Sequence, residues 1–466
     1  MLGRSINGGT IKNTVIVFNQ AAGYTNGAIA SWAVYTKTTV FDNVYMIMKG
    51  GATNVFGNTA AVEIKADSTY TVVAANEDPT AITYVGLDES IWNVTAGQIP
   101  TFKYVAPIII DSGIENKTDT IIYLDASDLG GLSAQIASEV EKLGLFDSFS
   151  DVKIFDETGT EIPSDASWLK AHDTGNAAAR TITLIVSDSG KAYKIKVLVV
   201  TKVITTYAEL ASLQSYTTVE TGKNSAGKTY YSYGGYFVLG NNITATGSEA
   251  PFSAPSIGSI SSGGDMVETY GFHGTFDGRG YTVSGFDFYI GGIFGDIGDN
   301  AVIKNVAFTG AKATKEAYNS GSTRQDGIGV LSANAKGSYT IENVYVEFES
   351  LSPNSGALLG RSLNGGTISN TVIVYKQLPG TWNTGAIAGW GVYTQSVLLN
   401  NVYIILQGNA TRVFGNTDAV NIKADSTYTV VAANGDPTAI TYSGLDESIW
   451  NVTAGSVPTF KSASIN

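Results

Sequence analysis

Between residues 291 and 406 the apolar positions recur in a fixed order. A small–aliphatic–small step leads, after ten to twelve residues, to an Asn and a short alternating strand. The steps are GGIFG (Gly291–Gly295), IGVLS (Ile328–Ser332), GALLG (Gly356–Gly360) and GAIAG (Gly385–Gly389). They lead to Asn305, Asn343, Asn370 and Asn401, with the strands VAF, VYV, TVI and VYI. Phe308, Val346, Ile373 and Ile404 fall at equivalent places, and so do Ile303, Ile341, Ile368 and Leu399. One such segment is too short to bury its own apolar face. Stacked at strand spacing, the segments make continuous aliphatic ladders. Gly permits the tight corners, while Asn accepts the left-handed conformation and bonds its neighbours along a stack. The pattern predicts a parallel β-helix over residues 204–466.

The texture changes over Tyr104–Val203. TIIYLD, DVKIFD, RTITLIVSD and KAYKIKVLVV read as strands, and FDETGTEI (Phe155–Ile162) as a hairpin. One helix is expected around Ser133–Leu143, with Leu132, Ile136, Val140 and Leu143 on one stripe. About a hundred residues of short strands suggest an immunoglobulin-like β-sandwich over 104–203.

The dodecamer GLDESIWNVTAG stands at Gly86–Gly97 and again, letter for letter, at Gly444–Gly455. Thr53–Lys103 and Thr411–Lys461 differ at seven of 51 positions, and LGRSINGGTIKNTVIV (Leu2–Val17) matches LGRSLNGGTISNTVIV (Leu359–Val374). Residues 1–103 therefore read as the closing half of a preceding β-helix. Met1 stands where the second copy has Leu358, so the chain reads as a window cut from a tandem array. Trp92 and Trp450 are expected to act as lids over the last apolar rung of each helix.

These residues also carry a family resemblance. GALLGRSLNGGTISNTVIVY resembles the GLUG-type repeat of bacterial surface and secreted proteins. GGYFVLGNNIT (Gly234–Thr244), followed by GTFDGRGYTVSGF (Gly274–Phe286), resembles the opening coils of such right-handed β-helices, and WNVTAGSVPTF (Trp450–Phe460) their final coil. The resemblance covers roughly Ile204–Lys461 and again Leu2–Lys103. It implies a right-handed β-helix and an extracellular place on a bacterial cell surface, and no particular reaction. The 104–203 segment resembles the small sandwich modules that punctuate such proteins.

Composition narrows the chemistry. Net charge is −13 with a pI near 4.7, which disfavours nucleic acid as a partner. There is no cysteine, so disulfides, thiolate metal sites and cysteine nucleophiles are out. No run approaches 18 apolar residues and no basic-then-apolar leader is present, so this segment is expected neither to insert into a membrane nor to direct export.

Gly222–Thr229 satisfies the phosphate-loop pattern G-x-x-x-x-G-K-T, but polar SYTTVE precedes it and the strand-like YYSYGGYFVLG follows, so a surface loop is expected. Ser167–Lys170 and Ser225–Lys228 match S-x-x-K without companion motifs. His172 and His273 lie in different expected domains, which argues against a triad or a two-His metal site. Asp277, Asp287, Asp296 and Asp299 fall at unrelated phases and read as solvated turn residues. No cofactor or metal is expected.

The candidate binding residues are aromatic and basic. Trp390 follows one step and Arg361 the step before it; Trp32 and Arg4 repeat the pair in the first copy. On one face they would lie a rung apart, within cation–π reach, and an Arg–Trp surface with Tyr403 in an outward slot suits sugar rings. The plainer reading is a stacked pair that stiffens the coil. Two functions follow. The first is a surface adhesin or stalk, in which tandem rods present a glycan or protein ligand site and neighbouring repeats multiply the contact. The second is a polysaccharide lyase or glycoside hydrolase on the same fold, which needs carboxylates or basic groups converging on one outer face.

Overall fold

The structure, a computed structural model, describes residues 8–21, 26–31, 38–57, 64–89, 92–102, 114–128, 130–142, 152–173, 179–186, 192–223, 229–253, 271–313, 327–351, 355–379, 384–392, 395–416 and 421–461. Strand predominates, and three short α-helices occur among the described residues, so the chain is all-β in class. It divides into two compact units, residues 1–113 with Thr158–Glu161 and the remainder.

In the second unit the strands Val302–Ala313, Ser332–Ser350, Leu359–Gln377, Leu398–Gly408 and Thr427–Val431 each pair in parallel with the next. The register joins Phe308 to Val346, Val346 to Ile373 and Ile373 to Ile404. It also joins Ile303, Ile341, Ile368 and Leu399 in succession. All eight are buried in one core, as their pattern in the chain requires. Each such side chain contributes about 1.5–3 kcal/mol by leaving water. A third column, Tyr233–Phe272–Ile297–Ala335–Leu363, fills the remaining side.

The Asn residues make the bends. Asn305, Asn343, Asn370 and Asn401 have φ of 55°, 54°, 47° and 55°, a conformation Asn tolerates better than most residues. Their amides link rungs: Asn343 Nδ2 donates to Asn305 Oδ1 at 3.1 Å, and Asn401 Nδ2 to Asn370 Oδ1 at 3.4 Å. Asp277 takes the first place in this row and accepts from Asn305 Nδ2 at 3.1 Å. Asp277 and Asp296 are thus buried structural acceptors, not the solvated turn residues their phases suggest. On the rim, Asp287, Lys312, Glu349, Lys376 and Gln407 follow one another across rungs, with Lys376 Nζ 2.7 Å from Glu349. Opposite charges in adjacent positions favour this register over a slipped one.

The steps stack as well, through backbone bonds from Phe294 N to Leu331 O, Leu331 N to Leu358 O and Ile387 N to Val413 O. Val413–Gly415 is a fifth step, in the segment RVFG, which lacks the small residue expected in front. At the other end the helix Tyr207–Leu210 carries a capping box between Thr206 and Glu209, and places Leu210 in the core together with Leu213.

Residues 114–200 depart from the expected sandwich. Among the described residues they form one four-stranded sheet, ordered Ile114–Asp125, Ala192–Val200, Arg180–Val186, Val152–Phe155; the first pair is parallel and the others antiparallel. The helix Gly131–Lys142 covers it with Leu132 and Ile136, and a second helix, Ser167–His172, adds Leu169. These side chains occupy the place of a facing sheet. Val140 lies outside the residues whose side chains are described, and Leu143 outside the described residues altogether. The unbroken apolar run VLVV has a physical cause. Val197 and Val199 face the helices, whereas Leu198 and Val200 face Tyr236 and Val238 of the ladder.

That junction is polar at its rim. Lys202 Nζ lies 3.1 Å from Asp125 and 2.9 Å from Glu209, and Val203 N donates to Asp125 Oδ2. The Arg279 guanidinium sits 3.9 Å over the Tyr123 ring. Burial pushes the Glu209 carboxyl up, but the Lys202 ammonium and the Thr205 N–H and hydroxyl outweigh it and hold it at about 2. Its stabilisation is therefore complete above its ordinary value of 4.5 and is lost as pH falls toward about 2. Thermal melting at pH 6 and pH 3 should show a larger acid loss for the wild type than for Glu209→Gln. Equal losses would mean that the junction does not depend on this carboxylate.

In the first unit, Thr10–Gln20, Val40–Gly50 and Tyr70–Val73 form a parallel three-stranded sheet over a core containing Phe41, Met46 and Met48. Asn13 and Asn43 repeat the left-handed bends.

Candidate functional site

The outward positions of the last rungs are apolar: Tyr345, Val372 and Tyr403 in one row, Val374, Ile405 and Val431 in the next. The segment 432–461 folds back over them. Tyr403 donates its hydroxyl to Ser443 O at 2.6 Å, and its ring lies 4.8 Å from that of Tyr442. Tyr442 in turn donates to Pro437 O at 2.8 Å. Trp450 is fully buried in this outer layer, 4.7 Å from the Phe460 ring and 6.4 Å from Tyr345. It latches a flap onto the side of the ladder and does not close its end. The first unit repeats the arrangement, with Tyr45 donating to Val85 O, Tyr84 to Pro79 O, and Trp92 buried beside Leu87.

The repeated dodecamer is this latch. Gly444 has φ +87°, and a Cβ there would meet the Asn401 amide at 2.8 Å; Gly86 stands against Asn43 in the same way. Asp446 caps the next turn, accepting from Ser448 N through its carboxylate and from Trp450 N through its carbonyl. Leu445 and Trp450 then enter the outer core, and a turn from Thr453 to Ser456 returns the chain for antiparallel pairing of Trp450 with Phe460.

The candidate binding residues separate accordingly. Arg361 and Trp390 are neighbours on successive rungs, Trp390 N donating to Arg361 O at 2.7 Å. Trp390 is half-buried, but Arg361 is only 8% exposed, so an open guanidinium–indole platform is not what these rungs present. Tyr403 is buried beneath the flap and is unavailable to an external ligand. Arg4 and Trp32 lie outside the described residues.

The formal motifs resolve into structure. Gly222 and Lys223 end one strand, and Thr229 opens the next, antiparallel to it. The phosphate-loop pattern therefore spans a hairpin, with residues 224–228, and so the second S-x-x-K, outside the described residues. Ser167 bonds the Asp165 carboxylate at the start of a six-residue helix. His172 Nδ1 lies 2.7 Å from Trp168 O, and His273 Nδ1 lies 3.0 Å from Ser232 Oγ. Among the described residues no group of three or more His, Asp or Glu gathers as a metal site, and no helix is long and apolar enough to cross a membrane. What the sequence reading missed is the outer apolar layer; the unbroken runs TVIVY and NVYIIL were its signal. Compared with known proteins, the chain matches no family model, no curated protein and no solved structure.

Proposed function

We propose that the chain is a tandem-repeat segment of a bacterial cell-surface protein, an adhesin or stalk built from right-handed parallel β-helices of the GLUG type. In this reading residues 204–466 are one such helix, residues 1–103 the end of another, and residues 104–203 a spacer. The observation that carries it is the rung-by-rung parallel register of one apolar pattern, duplicated in nearly the same letters elsewhere in the chain. Such a stack gains stability from each added neighbour, which suits a rod that holds a binding surface away from a cell. The interlocked Lys202–Asp125–Glu209 junction supports the same role, because it fixes the spacer against the rod. The half-buried Trp390 is the best-placed candidate to contact a surface glycan.

The competing reading, a polysaccharide lyase or glycoside hydrolase, is separated from this one by its products. A polysaccharide array probed with the full chain should show retention without cleavage, and Trp390→Ala should weaken any retention about tenfold or more. New reducing ends or unsaturated sugars appearing on incubation would replace the adhesive reading with the enzymatic one.

A further inference from the structure

We infer that the C-terminal end of each ladder is a self-association surface, whose occupant is the same end of a second copy of this chain. The two ends of the long ladder are finished differently. At the start, Leu210 and Leu213 are buried over the first rungs. At the other end Thr427–Val431 pairs, among the described residues, on one side only, with Leu398–Gly408. Tyr428 and Val430 continue the inward columns of Val402 and Ile404, yet are 44% and 42% exposed. Val413 and Ile422 of the same last rung are only partly buried. The segment that follows is engaged on the outer face as the flap, so among the described residues nothing covers this end.

The first unit has the same end. Among the described residues Tyr70–Val73 is the edge of its sheet, and Tyr70 and Val72 are 44% and 38% exposed. STYTVVAAN is identical at Ser68–Asn76 and Ser426–Asn434, and neither copy carries a charge. An uncharged, β-prone, unpaired edge is a template for another strand.

A second copy is the occupant that answers all of these features. A two-fold axis through Thr429 pairs Thr427–Val431 with itself in antiparallel fashion and sets Tyr428 opposite Val430 of the other chain. The two ladders then share a cross-section, so apolar end meets apolar end. The absence of charge in the strand lets two chains of net −13 meet there without local repulsion. Five residues and two side chains per end cover a few hundred Å², short of the roughly 1,200 Å² of a durable dimer. Each junction is therefore weak, and because every chain carries two such ends, association proceeds beyond dimers as concentration rises.

Sedimentation of the full chain over a range of micromolar concentrations tests this. The weight-average mass should rise about twofold or more across the range. Tyr428→Lys with Val430→Lys should halt growth at dimers through the remaining end. Adding Tyr70→Lys with Val72→Lys should leave monomer. Val85→Lys, exposed but off the edge, should change nothing. A free peptide of sequence STYTVVAAN should lower the mass of the wild type, which tests the edge without altering the fold; a scrambled peptide should not. A wild type that stays monomeric throughout, or association that survives all four lysines and ignores the peptide, overturns the inference.

Discussion

Gly385→Ala should destabilise the second unit by about 3 kcal/mol, although it adds one methyl group at an ordinary φ. A Cβ at Gly385 would lie 2.5 Å from Gly415 N, 2.6 Å from Ala388 O and 2.6 Å from the Phe414 carbonyl carbon. All three are backbone atoms of the same step or the next rung. Rung spacing is set by hydrogen bonds such as Gly415 N to Ala388 O at 3.1 Å, so relief requires breaking them. Gly292, Gly329 and Gly356 stand equally close to backbone, within 2.3 to 2.5 Å, and Gly27 meets Phe56 Cα at 2.3 Å in the first unit. Gly455→Ala is the matched control. It has φ +77° and nothing within 4 Å, so only the left-handed conformation costs, at about 1 kcal/mol. Chemical denaturation of both variants compares the two effects. A Gly385→Ala loss no larger than that of Gly455→Ala would show that the steps are not tightly apposed.

These glycines explain why the ladder was legible. The step needs a small residue where backbones approach and an aliphatic one beside it, so the pattern small–aliphatic–small records a contact between rungs. The Asn positions were legible for a similar reason, since few other residues bend the chain at φ near +50° and still bond a neighbour. Phe308, Val346, Ile373 and Ile404 were read as one set because the same inward place recurs after each bend.

Other features depend on what covers a surface, and local pattern does not encode that. Tyr403 follows Val402 in an apolar run, and such a run suits an exposed binding row or a second buried layer equally. Only the path of residues 432–461 decides between them. Leu198 and Val200 pose the same problem, since their second buried face belongs to the ladder and not to a partner sheet within 114–200. Arg361 is a further case: it is buried where an outward side chain was expected.

Trp450→Ala should release the flap while leaving the ladder intact. Removing a fully buried Trp costs about 3–5 kcal/mol, and here the cost falls on one layer. The outer core of Val372, Tyr403, Val431, Tyr442 and Leu445 is distinct from the inner core that contains Val346, Ile373 and Ile404. Beyond Trp450 the flap is held by a hairpin of two residues on each side, Trp450–Asn451 with Thr459–Phe460, which is too short to persist alone. Amides of residues 444–461 should therefore exchange about a hundredfold faster or more in the variant, while those of Leu359–Gln377 keep their protection. A milder substitution separates the ring from its N–H. Trp450 Nε1 is buried with no hydrogen-bond partner among the described residues, whereas Trp92 Nε1 donates to Asn13 O at 3.0 Å. Trp92→Phe should thus cost about 1 kcal/mol more than Trp450→Phe, because only the first leaves a carbonyl without its donor. If the inner strands lose protection together with the flap in Trp450→Ala, the two layers fold as one and the latch reading fails. If the flap stays protected, its anchor is Tyr403 and Tyr442, not the tryptophan.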